Sequence, residues 1–117
     1  MLLLRRQVLI VGLALTLGCG ASRPRLPPAG PAPSESDPVV VYGAPWCQHT
    51  RAAQNWLRAR NIPSRLANVD DDPEALVEMR TRALAQGLEA RGIPVLSVRG
   101  RVLIGFDPAS LEAALSD

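Results

Sequence analysis

Residues 39–51 read VVVYGAPWCQHTR, a short stretch that leads from a strand through a turn into a helix. Positions 39–42 are β-branched and aromatic without interruption, which favours a strand buried on both faces of a mixed or parallel sheet. A glycine and a proline then end the strand. Apolar residues recur at helical spacing after Cys47 and stop before Pro63, which predicts a helix over about 48–60. Cys47 therefore lies where a buried strand meets a helix N-terminus.

The chain beyond this helix predicts five further elements and a single small domain. They are a strand over 65–69, a helix over 72–87 capped by Asp72, strands over 94–98 and 101–104, and a helix that begins at Asp107 and Pro108. The strand over 65–69 follows a short helical crossover, so it should lie parallel to the first strand. Arg99 and Gly100 separate the next two strands and predict a tight antiparallel hairpin. The residues predicted to face inward from the last two helices are Leu76, Met79, Ala83 and Leu84, then Leu111, Ala114 and Leu115.

The N-terminus has the pattern of a secretory signal. It opens MLLLRRQVLIVGLALTLGCG, with a basic pair followed by an uncharged run over 7–18. That run is shorter than the ~20 residues that a membrane-spanning helix needs. Cleavage is therefore favoured over a permanent span, and residues 1–18 are assigned to a signal peptide.

Residues 15–19, LTLGC, resemble the lipobox of bacterial lipoproteins. The resemblance implies that Cys19 is diacylated and becomes the mature N-terminus, which places the domain in the cell envelope as a membrane-anchored lipoprotein. Gly20 resembles the sorting signal for an outer membrane, if the host has one. The alternative is an ordinary secreted protein cut near Gly20 or Ala21. A disulfide between Cys19 and Cys47 is open only if Cys19 is not lipidated.

A proline-rich tether is predicted between the signal and the folded domain. Residues 21–38 read ASRPRLPPAGPAPSESDP, which is rich in proline and small polar residues and poor in core formers. Residues 19–38 are thus assigned to the tether and 39–117 to the domain.

The charge balance excludes some classes of partner. From residue 39 onward the chain has nine arginines and nine acidic residues. This neutral domain gives no electrostatic footprint for nucleic acid. The run Asp70-Asp71-Asp72 lacks the alternate spacing of a calcium loop and is interpreted as a loop and helix start, so no metal site is predicted.

Cys47 is the candidate nucleophile. The unpaired amides of Gln48, His49 and Thr50 and the helix dipole favour a thiolate at this position. A thiolate is the species that attacks disulfides. The alternative is that Cys47 packs as a small apolar residue, but a polar strand-to-helix junction is not a core position. His49 is interpreted as a solvated side chain rather than a base or metal ligand.

Four features in order resemble glutaredoxin. They are the order of elements, the aromatic and glycine stretch before Cys47, Gly92-Ile93-Pro94 opening the third strand, and Gly105-Phe106-Asp107 before the last helix. The resemblance covers residues 39–115 and is similar in particular to the small glutaredoxin-like redoxins that serve ribonucleotide reductase. It implies an α/β thioredoxin-like fold, β-α-β-α-β-β-α, with a four-stranded mixed sheet and three helices. It also implies that Cys47 is catalytic and that the Ile93–Pro94 peptide bond is cis and faces it.

The departures from the family define the expected chemistry. Thr50 stands where dithiol glutaredoxins have a second cysteine, so Cys47 is expected to act by monothiol, deglutathionylation-type exchange. Thr50 is expected to donate a hydroxyl hydrogen bond to the thiolate. Monothiol members that bind an iron–sulfur cluster carry Cys-Gly-Phe-Ser and a lysine, whereas this chain has Cys-Gln-His-Thr and no lysine. No cofactor is therefore expected, with glutathione or another small thiol as co-substrate.

Five residues are candidates for substrate binding, namely Trp46, Arg51, Ile93, Pro94 and Asp107. Trp46 either docks a partner or folds back over the sheet. Arg51, Ile93 and Asp107 would contact glutathione, although the missing lysine and Phe106 argue against high affinity. Small thiols and disulfide-containing envelope proteins are the expected partners of a monomer that is attached to the membrane by its N-terminal lipid.

Two functions thus follow from the sequence. The first is an extracytoplasmic thiol–disulfide oxidoreductase that acts through a single cysteine. The second is a redox-inactive glutaredoxin-fold binding module anchored to the envelope, in which a surface around Trp46 and Pro94 recognises a protein.

Overall fold

The computed structural model describes residues 26–116, so the predicted signal peptide and Cys19 lie outside the described residues. Seven elements follow one another: β1 (Val39–Gly43), α1 (Gln48–Ala59), β2 (Ser64–Asn68), α2 (Pro73–Ala85), β3 (Val95–Val98), β4 (Arg101–Ile104) and α3 (Pro108–Ser116). The predicted order β-α-β-α-β-β-α is confirmed. Within this part of the chain no helix is both long and apolar enough to cross a bilayer.

The four strands form one mixed sheet in the order β2-β1-β3-β4. β1 pairs parallel with β2 and antiparallel with β3, and β3 pairs antiparallel with β4. All five residues of β1 are buried because the strand has neighbours on both sides and helices on both faces. The parallel pairing of β1 and β2 and the final hairpin are both as predicted.

Alternation along β1 divides the core into two layers, because successive strand side chains point to opposite faces. Val39 and Val41 join α1 and α3 in one cluster, whose other buried members are Ala53, Leu57, Leu96, Val98, Leu111 and Ala114. Val40 and Tyr42 face α2 in the other cluster, with Ala67, Ala75, Met79, Ala83, Val95 and Val102. An uninterrupted apolar run is thus what a strand buried on both faces requires.

The predicted inner face of α2 is partly wrong. Its buried residues are Ala75, Met79 and Ala83, a stripe spaced by four positions. Leu84 was predicted to face inward but is 66% exposed, and Leu76 is only partly buried at the margin of the cluster. Two of the three buried residues are alanines, so the positions of the large apolar side chains did not indicate which face of the helix packs on the sheet.

The turns follow the chemistry of their residues. Asp72 caps α2 by accepting a hydrogen bond from the amide of Glu74. Arg99 and Gly100 both have positive φ, 51° and 80°, as a tight two-residue hairpin turn requires. Gly87 follows α2 with φ of 71°, a conformation that disfavours other residues.

Pro27 and Gly30, within the proline-rich segment, contact the β3–β4 hairpin. The amide of Gly30 donates to the Arg99 carbonyl at 2.6 Å, and Nε of Arg99 donates to the Gly30 carbonyl at 3.0 Å. Nε of Arg101 donates to the Pro27 carbonyl at 3.1 Å. The segment assigned to the tether therefore meets the domain before residue 39.

Candidate active site

A short turn carries Cys47 from the end of β1 to the start of α1. The amide of Cys47 donates to the Ala44 carbonyl at 3.0 Å, which closes the turn. Cys47 is the residue that precedes the first helical position, and its carbonyl accepts the first helical bond from Arg51 at 3.1 Å. As a neutral thiol its side chain makes no capping hydrogen bond, so the first-turn amides remain available to bond the sulfur once it is ionised.

The thiol is more covered than a polar junction suggests. Cys47 is a free cysteine that is only 9% exposed. It belongs to neither of the two core clusters. Cys47 is thus a buried residue outside the two main core clusters, so the expectation that this junction is not a core position is wrong as far as burial is concerned.

Several groups lower the pKa of Cys47 below its ordinary value. The largest influence is hydrogen bonding from the Thr50 side chain, followed by the Thr50 amide. Burial acts in the opposite direction, and the His49 amide and the positive charge of Arg51 add to the lowering. The lowering of the pKa, with contributions from the amides of His49 and Thr50, agrees with a helix N-terminus that favours the thiolate.

Thr50 is a buried residue, which the sequence did not indicate. It is fully covered and forms the inner stripe of α1 with Ala53 and Leu57. Its Oγ1 accepts a hydrogen bond from the amide of Ala44 at 3.4 Å. Thr50 therefore connects the end of β1 to the first turn of α1, the turn that begins after Cys47.

Trp46 is exposed and does not fold back over the sheet. It is 68% exposed, and its indole N–H donates to Oδ2 of Asp70. Asp70 was not predicted as part of the site. The predicted parallel pairing of β1 with β2 could have indicated Asp70, because neighbouring parallel strands end at the same edge of a sheet. This hydrogen bond fixes the indole of Trp46, the residue before Cys47, at the edge of the sheet where both strands end.

Pro94 lies at the same edge. The Ile93–Pro94 peptide bond is cis, as the resemblance implied, and Pro94 is buried. Tyr42 pairs with Val95, which places Pro94 beside the last residue of β1. The Pro94 carbonyl accepts from the amide of Gly105 at 2.8 Å and so ties the loop before α3 to this edge.

The two charged candidates differ in their surroundings. Arg51 is exposed and close enough for its charge to act on Cys47. Asp107 caps α3 instead: Oδ1 accepts from the Ala109 amide at 3.3 Å, and Oδ2 accepts from the Ser110 hydroxyl at 2.7 Å. Trp46, Cys47, Thr50, Arg51 and Pro94 thus gather at one edge, while both oxygens of Asp107 are engaged within its own helix.

The aspartate run forms local structure, as predicted. Asp71 accepts from the Asn68 side chain at 3.1 Å, and Asp72 caps α2. Among residues 26–116 no group of three or more His, Cys, Asp or Glu side chains is arranged to hold a metal ion.

A mixed four-stranded sheet with three helices defines a thioredoxin-like fold, and a cysteine at the N-terminus of the first helix is typical of thiol–disulfide oxidoreductases with this fold. The chain belongs to the glutaredoxin family, whose sequence profile matches residues 39–103. It is 27% identical over 74 residues to an uncharacterised glutaredoxin-like 8.6 kDa protein from the rubredoxin operon of Clostridium pasteurianum, covering 63% of this chain and 92% of the relative.

Solved structures agree on the fold. The glutaredoxin of Archaeoglobus fulgidus superposes with a TM-score of 0.55 at 16% identity, over 68% of this chain and 86% of that one. The thioredoxin-like protein BC3987 superposes with a TM-score of 0.54 at 25% identity, over 66% and 99% of the two chains. The predicted glutaredoxin fold is confirmed.

Proposed function

We propose that the protein is a monothiol glutaredoxin-like oxidoreductase of the cell envelope, with Cys47 as its single nucleophile. The observation that carries the proposal is the position of Cys47 at the start of α1, where Thr50 and the first-turn amides lower the pKa of its thiol. A thiol with a lowered pKa is ionised to a larger extent near neutral pH and so is able to attack disulfides.

The first step is exchange with a mixed disulfide on a substrate. The Cys47 thiolate attacks the glutathionyl sulfur, so that a new S–S bond forms at Cys47 while the substrate S–S bond breaks. The substrate sulfur leaves as a thiolate and takes a proton from solvent. No electrons are gained or lost overall in this step, because one disulfide replaces another.

The second step needs an external thiol. Thr50 occupies the position from which a second cysteine would act, and a hydroxyl does not resolve a disulfide. A small thiol, as its thiolate, therefore attacks the adduct and leaves as a small-molecule disulfide, which regenerates the Cys47 thiolate. Over the two steps, one small thiol and the substrate mixed disulfide become a free substrate thiol and a small-molecule disulfide, so the attacking thiol sulfur is oxidised as the substrate sulfur is reduced.

Substrate contacts are assigned to the edge around the thiol. Trp46 supplies exposed aromatic surface, Arg51 supplies a guanidinium for a carboxylate, and the backbone at Ile93 and Pro94 supplies polar groups beside β1. Asp107 is the weakest candidate because its carboxylate already caps α3. This set suits small thiols and disulfide-containing envelope proteins.

The location rests on the N-terminal sequence. Residues 1–18 form the signal peptide, and acylation of Cys19 attaches the mature chain to a membrane, which is the outer membrane in a host that has one. The surroundings are oxidising, so turnover depends on reducing equivalents delivered across the membrane. Intact mass of the natively expressed protein tests this: we expect a chain that begins at Cys19 with added acyl groups. A different N-terminus without lipid would contradict it.

The activity test uses a glutathionylated peptide and excess small thiol. We expect the wild-type chain to release the peptide faster than the thiol alone, and a Cys47→Ser variant to add nothing to that background rate. Equal rates for the two proteins would support the redox-inactive binding module, which the exposed Trp46 side chain favours as the alternative.

A further inference from the structure

Gly43 leaves no room for any larger residue. A Cβ built on this last residue of β1 would lie 2.6 Å from Cγ2 and 3.0 Å from Cβ of Thr50, and closer still to Oγ1. Real Cβ atoms essentially never approach other heavy atoms within 3.0 Å. Thr50 is fully covered, so its side chain has no open space into which it could retreat.

Backbone conformation does not explain the glycine. The glycines with positive φ are Gly87, Gly100 and Gly105 among the described residues, and Gly43 is not one of them. Gly43 continues the ladder of β1 by pairing with Asn68. Its lack of a side chain is therefore a matter of space beside Thr50, and not of a turn that other residues could not adopt.

The Thr50 side chain fills this space, and a neighbouring backbone amide orients its hydroxyl. The amide of Ala44, the residue after Gly43, donates to Oγ1 of Thr50 at 3.4 Å. With Oγ1 accepting from the backbone, its proton is directed elsewhere, and Thr50 is the group that acts most strongly on the Cys47 sulfur. A side chain at position 43 would meet Oγ1 first.

We propose that Gly43 is a positioning residue for the Cys47 thiol, because the space left by its missing side chain holds the Thr50 hydroxyl between the end of β1 and the sulfur. The inference goes beyond the proposed exchange reaction and rests on it only for its biological consequence. The arrangement of the three residues is a property of the resting protein and is measurable without any substrate.

The test compares Gly43→Ala with a matched glycine variant in a Cys19→Ser background. Reaction of Cys47 with iodoacetamide is followed against pH, and the midpoint reports the thiol pKa. We expect Gly43→Ala to move the midpoint upward and to slow the reaction severalfold at neutral pH. The control is Gly92→Ala, because a Cβ on Gly92 meets nothing within 4 Å and its φ is ordinary, so the wild-type midpoint is expected. Arg51, the charged group that acts on the thiol, is unchanged in both variants.

A second pair of variants separates positioning from general loss of structure. Thr50→Ala removes Oγ1 and Cγ2, so the midpoint should rise, and adding Gly43→Ala to it should move the midpoint no further. If Gly43→Ala alone does not fold but the double variant does, the collision with Thr50 is demonstrated directly. The proposal is overturned if Gly43→Ala folds with the wild-type midpoint, or if Gly43→Ala shifts the midpoint equally with Thr50 present or absent. Because alkylation needs no disulfide substrate, these outcomes are independent of whether the protein is a working oxidoreductase.

Discussion

Replacing Thr50 by valine removes one hydroxyl from the first turn of α1 and keeps the shape of the side chain. Two groups lose a partner. The amide of Ala44, which is fully buried, loses its acceptor at 3.4 Å. The Cys47 thiolate loses the largest influence that lowers its pKa.

The expected magnitude follows from the desolvation of the amide. An unsatisfied buried donor costs about 1–3 kcal/mol. The lower half of that range applies, because 3.4 Å is long for an N–H···O bond and the bond is correspondingly weak. We therefore expect Thr50→Val to lower the free energy of unfolding by about 1–2 kcal/mol and to raise the pKa of Cys47.

Two measurements on one pair of variants check this prediction. Denaturant unfolding gives the stability, and ultraviolet absorbance of the thiolate against pH gives the pKa of Cys47 in a Cys19→Ser background. Thr50→Ser is the matched control: it keeps the hydroxyl and loses a methyl group, which costs about 0.5–1.5 kcal/mol as a small cavity. The serine variant should keep the lowered pKa although it is also destabilised. A valine variant whose thiol titrates like wild type would refute the role assigned to Thr50.

Three further predictions concern other parts of the fold and site. Tyr42 is buried, its hydroxyl donates to Glu78 at 2.7 Å, and burial with that bond raises its pKa to about 12. The contribution of the neutral phenol to the free energy of unfolding is thus present below pH ~10 and is lost as pH rises through the folded pKa. Tyr42→Phe should abolish this pH dependence and lower the free energy of unfolding by about 1–3 kcal/mol at neutral pH, as measured by denaturant unfolding. The lowered pKa of Cys47 gives the opposite pH dependence. The contribution of the thiolate to the free energy of unfolding is fully present above about pH 8.5 and is lost as pH falls through the folded pKa. Unfolding curves of Cys47→Ser should lack this dependence. Asp107→Ala should lose about 0.5–2 kcal/mol of helix capping, whereas Asp107→Asn should keep the cap. Because Asp107→Asn removes the charge and leaves the cap, a raised KM for a glutathionylated peptide in this variant would show that the charge contacts substrate.

Most of the fold followed from local pattern. An uninterrupted apolar run can be satisfied only between two packed faces, so β1 was correctly placed inside the sheet. Capping by Asp72 and the turn at Arg99 and Gly100 depend on neighbours in the sequence and were also predicted correctly. The prediction that Leu84 faces inward was wrong because the buried face of a helix depends on how closely the helix approaches the sheet. In α2 the small side chains of Ala75 and Ala83 lie on the buried face.

The site was predictable only where it is local in sequence. Cys47 and the amides that follow it belong to one turn, and the cis bond before Pro94 came from the family resemblance. The contact between Gly43 and Thr50 and the bond between Trp46 and Asp70 depend on the packing of separate elements. No spacing in the sequence encodes those contacts, so they required the three-dimensional structure.

The lifetime of the mixed disulfide at Cys47 shows whether exchange proceeds through a single thiol. The wild-type chain in a Cys19→Ser background is treated with oxidised glutathione, freed of small molecules, sampled over time into acid and weighed by mass spectrometry. We expect a glutathionyl adduct on Cys47 that persists until a small thiol is added and then disappears. We expect no adduct in Cys47→Ser. Loss of the adduct from the wild-type chain with no thiol supplied, or failure of Cys47 to form it at all, would contradict monothiol exchange.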